Sequence, residues 1–182
     1  MHARALPRNE LGSVVFHPPR ALGVIAGGGF AVWALAAAFL AASVAAGAPA
    51  EFKTLLAWVT AAALALLAFA FAQWTYALAT MAYTIDHDNL VVRWGFREVV
   101  VPIASLQRMV PGRTIDDPRI EGLNWWGCHV GTADVKRVGY TMFYSTHSAP
   151  EELLYVVTSE ASYALTVLDQ AAFAEEIQAR AA

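Results

Sequence analysis

Two long runs of uncharged, apolar residues constrain this chain more than any other feature. The first extends from Ala21 to about Ala48 and holds neither charge nor proline. The second extends from Thr54 to about Ala82, and its most polar interior residue is Gln73. A helix needs roughly 20 apolar residues to cross a bilayer core, so each run is long enough to span, with some tilt. Between them lies Gly47-Ala48-Pro49-Ala50-Glu51-Phe52-Lys53, a short turn that carries the only two charges between Ala21 and Ile85. Glycine, proline and charge together mark where the chain leaves the bilayer and re-enters it. The expectation is a transmembrane α-helical hairpin with helices at about 21–48 and 54–82.

Two soluble alternatives exist. Two uncharged runs of spanning length rarely sit side by side in a soluble core. A cleaved signal peptide would use Arg4 and Arg8 as its basic region and Ala48-Pro49-Ala50 as its small-residue site. Its apolar core would be about twice the usual 7–15 residues, which argues against cleavage. The N-terminal flank carries Arg4, Arg8 and Arg20, whereas the hairpin turn carries only Lys53. The positive-inside rule then puts both termini in the cytoplasm, as for a multi-pass protein of a bacterial inner membrane. Within the first helix, Gly23 and Gly27 form a small-xxx-small pair that suits close helix packing, within the hairpin or against a partner.

Beyond Met81 the character of the chain changes. Hydrophobic residues make up 58 % of the whole and charged residues 15 %, but the apolar excess is confined to the hairpin. From Met81 onward there are eight Lys and Arg against thirteen Asp and Glu, a net charge of −5. Such an acidic domain is ill suited to nucleic acid, whose backbone demands a basic surface. The single cysteine, Cys128, excludes a disulfide framework within one chain.

Short β-rich runs replace the helical pattern. Met81–Ile85 and Leu90–Trp94 flank the polar cluster Asp86-His87-Asp88-Asn89, which reads as a hairpin turn. Further strands are expected at 97–101, 107–110, 139–145, 153–158 and 162–167, the last two joined by Ser159-Glu160-Ala161. Residues 111–124 are rich in turn formers and read as the longest loop. Asp169 is the expected N-cap of a final helix that carries Phe173 and Ile177 on one face. The domain division is therefore a cytoplasmic N-terminal segment (1–20), the hairpin (21–82) and a β-rich domain (83–182).

The stretches Tyr83-Thr84-Ile85-Asp86, Leu90-Val91-Val92-Arg93-Trp94-Gly95 and Val101-Pro102-Ile103-Ala104-Ser105-Leu106 resemble the opening of bacterial PH domains (pleckstrin-homology-like) found on small membrane proteins. Gly122-Leu123-Asn124-Trp125-Trp126-Gly127-Cys128-His129-Val130-Gly131 is similar to the glycine-spaced middle of one such subfamily, with Trp126 where that pattern carries proline. Phe143-Tyr144-Ser145-Thr146 and the Phe173 helix continue the resemblance, which covers about 81–178. It implies an α+β domain, a bent antiparallel sheet of about seven strands capped by a C-terminal helix, acting as a membrane-tethered scaffold.

Candidate chemistry is sparse. Cys128 and His129 are adjacent, so on a strand they point to opposite faces and cannot form a nucleophile–base pair. His147 lies among Ser145, Thr146 and Ser148 without an orienting acid at recognisable spacing. His87 between Asp86 and Asp88 reads as a hydrogen-bonded turn before it reads as a metal site. No glycine-rich phosphate loop is present, and no catalytic residue, metal or cofactor is expected. The expected function is a non-enzymatic interaction or assembly module, with Trp125 and Trp126 as partner-binding anchors. Its partners would be the lipid bilayer and another membrane protein or a homo-oligomer. The alternative is a lipid headgroup or membrane-state sensor that binds through Arg93, Arg97, Arg108, Arg113 and Arg119. A weaker class is a small enzyme using His87, His129 or His147.

Overall fold

A computed structural model describes residues 12–115, 119–146 and 152–181. It divides into two compact units: Val24–Ala77, and a unit that joins residues 12–23 to residues 78–181.

The first unit holds most of two helices, α1 (Ala21–Ala46) and α2 (Phe52–Ala79). At a rise of ~1.5 Å per residue they measure about 39 and 42 Å, more than the ~30 Å bilayer core. Only 17 % and 11 % of their most apolar stretches are buried, so neither is the core helix of a soluble fold. Hydroxyls inside these helices bond to the carbonyl four residues back: Ser43 to Phe39 at 2.8 Å, Thr60 to Leu56 at 2.9 Å, Thr75 to Phe71 at 2.7 Å. That satisfies them where lipid offers no partner. Between Val24 and Ala77 the buried positions are Gly27, Ala34, Ala38 and Ala45 on α1 and Ala61 and Ala68 on α2. These intervals of four and seven form a heptad-like seam of small side chains. Phe30 stacks on Phe71 with ring centroids 5.5 Å apart, so the helices pack on each other.

The second unit is built from ten strands among the described residues, where the sequence leads to about seven. β1 (Val14–Phe16) precedes α1, and β2 (Ala82–Ile85) follows α2. Then come β3 (Asn89–Trp94), β4 (Arg97–Pro102), β5 (Leu106–Pro111), β6 (Glu121–Trp125), β7 (Cys128–Val135), β8 (Gly139–Ser145), β9 (Leu153–Thr158) and β10 (Ser162–Thr166). The helix α3 (Gln170–Ala181) ends the described chain. One sheet has the order β1-β2-β3-β4, and the other β5-β9-β10-β8-β7-β6. β8 and β10 run parallel, while every other pair among the described residues is antiparallel.

The seven strands read from the sequence are present, and three more join them. β1 lies in the N-terminal flank, where no strand is expected from the sequence; Val14 pairs with Ile85 and Phe16 with Tyr83. β6 occupies the end of the expected 111–124 loop, and β7 follows it. The glycines that give this stretch its loop-like composition face each other across the ladder, Gly122 opposite Gly131. A Cβ on Gly122 would lie 2.6 Å from the Val130 carbonyl oxygen, and one on Gly131 would meet the Glu121 carbonyl. Here glycine permits close approach of two strands, a use that composition does not distinguish from a loop.

Alternation sets the inner faces. In β3, Leu90 and Val92 are buried while Val91 and Arg93 face outward. Ile115, Ala133, Val135, Phe143, Leu153, Tyr155 and Ala164 form one core cluster. Asp169 caps α3 as expected, accepting from the Ala172 N–H at 2.9 Å, and Phe173 and Ile177 are buried. The Phe173 ring meets Phe16 of β1 edge-on, centroids 5.0 Å apart. At the far end of α3, Arg180 donates to the Gly12 carbonyl at 2.8 Å.

Candidate functional site

Within the second unit, specific contacts tie the residues at the helix ends to the turns of the β-domain. Three contacts make it. Arg20, immediately before α1, donates from Nη1 to the Met81 carbonyl at 3.1 Å, just before β2. Thr80, the residue after α2, accepts at Oγ1 from the Gly95 N–H at 3.1 Å, in the β3–β4 turn. Gly23, the third residue of α1, touches the β6–β7 turn: a Cβ built on it would lie 2.8 Å from the Gly127 carbonyl oxygen and would also meet the Leu78 side chain. In return, a Cβ on Gly127 would lie 2.7 Å from the Gly23 nitrogen. Gly127 also has φ +76°, a conformation that glycine adopts without penalty.

Both turns held in this way carry a large exposed aromatic. Phe96 in the β3–β4 turn is 83 % exposed, and Trp126 in the β6–β7 turn is 71 % exposed. Trp125, the last residue of β6, is half-buried. The adjacent tryptophans thus divide into an inward and an outward one. Gly23 packs against the β-domain's turn, and Gly27 is buried within α1. In the sequence Arg20 counts only as a flanking charge and Phe96 only as a turn residue; the signal for Phe96 is a bulky apolar residue inside a tight turn, where small polar residues are usual.

The five arginines lie on different elements. Arg93 of β3 binds Glu98 of β4 through Nε at 2.8 Å and Nη2 at 2.5 Å, an exposed cross-strand pair. Arg97 opens β4 and is exposed. Arg108 of β5 donates to the Arg137 carbonyl at 2.7 Å, in the β7–β8 turn. Arg113 lines a cleft of about 430 Å³ together with Pro111, Glu152, Thr166, Val167, Leu168 and Gln170, where Glu152 supplies an opposing charge. Arg119 is exposed ahead of β6.

Two of the candidate reactive groups, Cys128 and His129, are buried in the fold. Cys128 is 2 % exposed, and burial pushes its thiol up to about 11, so it is protonated near neutrality. His129 is buried, with Nδ1 2.6 Å from Oδ1 of Asn124, its cross-strand neighbour. In the β2–β3 turn the main-chain N–H of His87 donates to Oδ1 of Asp86 at 2.8 Å, the hydrogen-bonded turn expected there. Among the described residues no three His, Cys, Asp or Glu side chains group as a metal site would require. His147 and Ser148, and Asp116 and Asp117 beside the long connection, lie outside the described residues, as do Arg4 and Arg8.

Comparison with known families decides the fold assignment. The family described as bacterial PH domain matches residues 81–181. The chain belongs to the bacterial PH domain family. Its one antiparallel and one mixed sheet and its terminal helix are consistent with a PH-like fold, here following two helices able to cross a membrane. Searches of curated proteins and of solved structures returned no match. PH-like domains are generally non-catalytic, and a membrane-associated interaction module is the coarse functional class that family and helices together indicate.

Proposed function

We infer that this bacterial PH domain protein is a non-catalytic assembly module, anchored by its hairpin in the inner membrane with its domain on the cytoplasmic side. The pairing of β1 with β2 supports the membrane-anchored arrangement. β1 precedes the hairpin and β2 follows it, yet they are neighbours in one sheet. A chain that crosses a bilayer twice and returns to its starting side satisfies that pairing; a single crossing does not. The arginines of the N-terminal flank favour the cytoplasm as that side.

The surface best suited to a partner is the outer edge of β4, the last strand of its sheet. Val100 there is 56 % exposed. An open edge offers main-chain donors and acceptors to an added strand, from another membrane protein or a second copy of this chain. Arg97 and Glu98 at its start limit indiscriminate pairing. The lipid-sensor alternative is the weaker one, since Arg93 and Arg108 already hold partners inside the chain.

Affinity purification of the full chain from bacterial membranes tests this function. A stoichiometric partner, lost on Val100→Lys, supports it. Recovery of the protein alone as a monomer overturns it.

A further inference from the structure

We propose that the β3–β4 and β6–β7 turns are a lipid-inserting wedge, with Phe96 and Trp126 seated in the interfacial layer of the bilayer that α1 and α2 cross. This goes beyond the assembly function and does not depend on it.

Position is the first argument. Both turns are held by contacts to the points where the chain enters and leaves the apolar helices, one backbone on backbone and one to a side-chain hydroxyl. Gly127 lies against Gly23, and the Gly95 N–H bonds to Thr80. α1 is about 39 Å long and the hydrocarbon core ~30 Å, so a terminal turn of this helix falls within the headgroup layer. Gly23 is in that turn, and the residue beside Gly127 is Trp126.

Chemistry is the second. Two-residue hairpin turns favour Asn, Asp and Gly, which water solvates well. Here each turn pairs its glycine with a large aromatic, and both aromatics are more than two-thirds exposed. Left in water, each would hold apolar surface that the domain's own core does not cover. An indole has an apolar body and one N–H donor, the combination that enriches tryptophan at membrane–water interfaces. Arg97, next to Phe96 and exposed, can extend its guanidinium to lipid phosphate while its stem lies along apolar surface.

Geometry supplies an internal control. Tyr140 at the start of β8 is 58 % exposed, comparable to Trp126, but it pairs with Asp134 at the other end of the β7–β8 ladder. At ~3.3 Å per residue, six residues of β7 separate that end from the β6–β7 turn by about 20 Å. Trp126 and Phe96 should meet lipid, and Tyr140 should not.

The test labels Phe96→Cys, Trp126→Cys and Tyr140→Cys, one at a time, with an environment-sensitive fluorophore in the full chain. Each is reconstituted into phosphatidylethanolamine–phosphatidylglycerol vesicles with and without lipid carrying a shallow spin-label quencher. Cys128 is buried and does not compete for label. Quenching severalfold stronger at 96 and 126 than at 140 is the expected result. Equal quenching at all three positions overturns the wedge. A blue-shifted probe at 96 or 126 that the quencher does not reach also overturns it, because protein then covers these turns. All three sites are exposed, and a circular dichroism spectrum matching the parent chain confirms that each labelled variant is folded.

Discussion

The hydroxyl of Tyr83 donates to the main-chain carbonyl of Tyr144 at 2.6 Å and accepts from the Thr166 N–H at 3.3 Å. Tyr83 is in the four-stranded sheet, and Tyr144 and Thr166 are in the six-stranded one, so a single fully buried phenol joins both layers. Burial raises its pKa far above 10.0, and the bond from Thr166 opposes that only in part. Tyr83→Phe keeps the ring and removes both bonds. A loss of about 1–3 kcal/mol is expected, as for other buried hydrogen-bonding groups. Thermal unfolding of the full chain in detergent, followed by near-UV circular dichroism, measures it.

Gly23 and Gly28 lie five residues apart in α1 and should respond oppositely to alanine. A Cβ on Gly23 collides with Gly127 and Leu78, whereas one on Gly28 meets nothing within 4 Å. Gly23→Ala should lower the melting temperature and open the β6–β7 turn to hydrogen exchange. Gly28→Ala should leave the melting temperature unchanged or raise it slightly, since alanine is favoured over glycine in a helix by up to about 1 kcal/mol. A Gly23→Ala protein as stable as its parent would contradict the close backbone contact.

Phe16 and Phe173 bring β1 and α3 together. Phe16→Ala deletes a ring that is 7 % exposed and should cost about 3 kcal/mol or more, as for other large-to-small core changes. The double variant with Phe173→Ala should fall short of additivity by about 0.5–1.5 kcal/mol, the coupling expected of an edge-to-face pair. Fully additive losses would mean that β1 does not dock against α3.

Alkali should destabilise the domain in a defined window. The folded state holds the Cys128 thiol protonated to about 11, against an ordinary 9.0 in the unfolded chain. A raised folded-state value means the contribution is complete below 9.0 and is lost as pH climbs towards 11, because the unfolded chain releases its proton first. Tyr83, raised above 10.0 by burial, adds to the same loss at higher pH. Cys128→Ser should flatten the lower part of the profile. Alkylation of native Cys128 should be far slower than that of a free thiol near neutrality, since the thiolate is the reactive form. Mass spectrometry after timed exposure to iodoacetamide reads this directly.

Legibility followed the kind of physics each element uses. The hairpin was plain because spanning a bilayer demands length and apolarity, both local properties of Ala21–Ala46 and Phe52–Ala79. The β2–β3 turn, the β9–β10 hairpin and the Asp169 cap were also readable, since each rests on residues adjacent in sequence. β1 was not, because a three-residue strand gains its ladder only from β2, some 70 residues later. β6 and β7 were obscured by Gly122 and Gly131, whose role as facing glycines exists only once the strands are paired.

Candidate sites divide along the same line. Trp125 and Trp126 stood out as an adjacent pair on an extended chain, and alternation alone required one to face out. Which one, and what it faces, depended on Gly127 meeting Gly23, a contact across about a hundred residues. The arginines form a set in the sequence, but Glu98 and the Arg137 carbonyl take up two of them, and neither pairing follows from spacing. Phe96 reads in the sequence only as a turn residue, because its position depends on the bond from its neighbour Gly95 to Thr80.

By itself, then, the sequence determined that this chain carries a two-helix hairpin and an acidic β-rich domain, because hydropathy and strand periodicity are written in neighbouring residues. The tertiary structure alone decided that the hairpin interrupts that domain between β1 and β2, and that two aromatic-tipped turns meet the helix ends. Those facts arise from contacts between segments far apart in the chain, where the fit of backbone on backbone at Gly23 and Gly127 leaves no local periodicity to read.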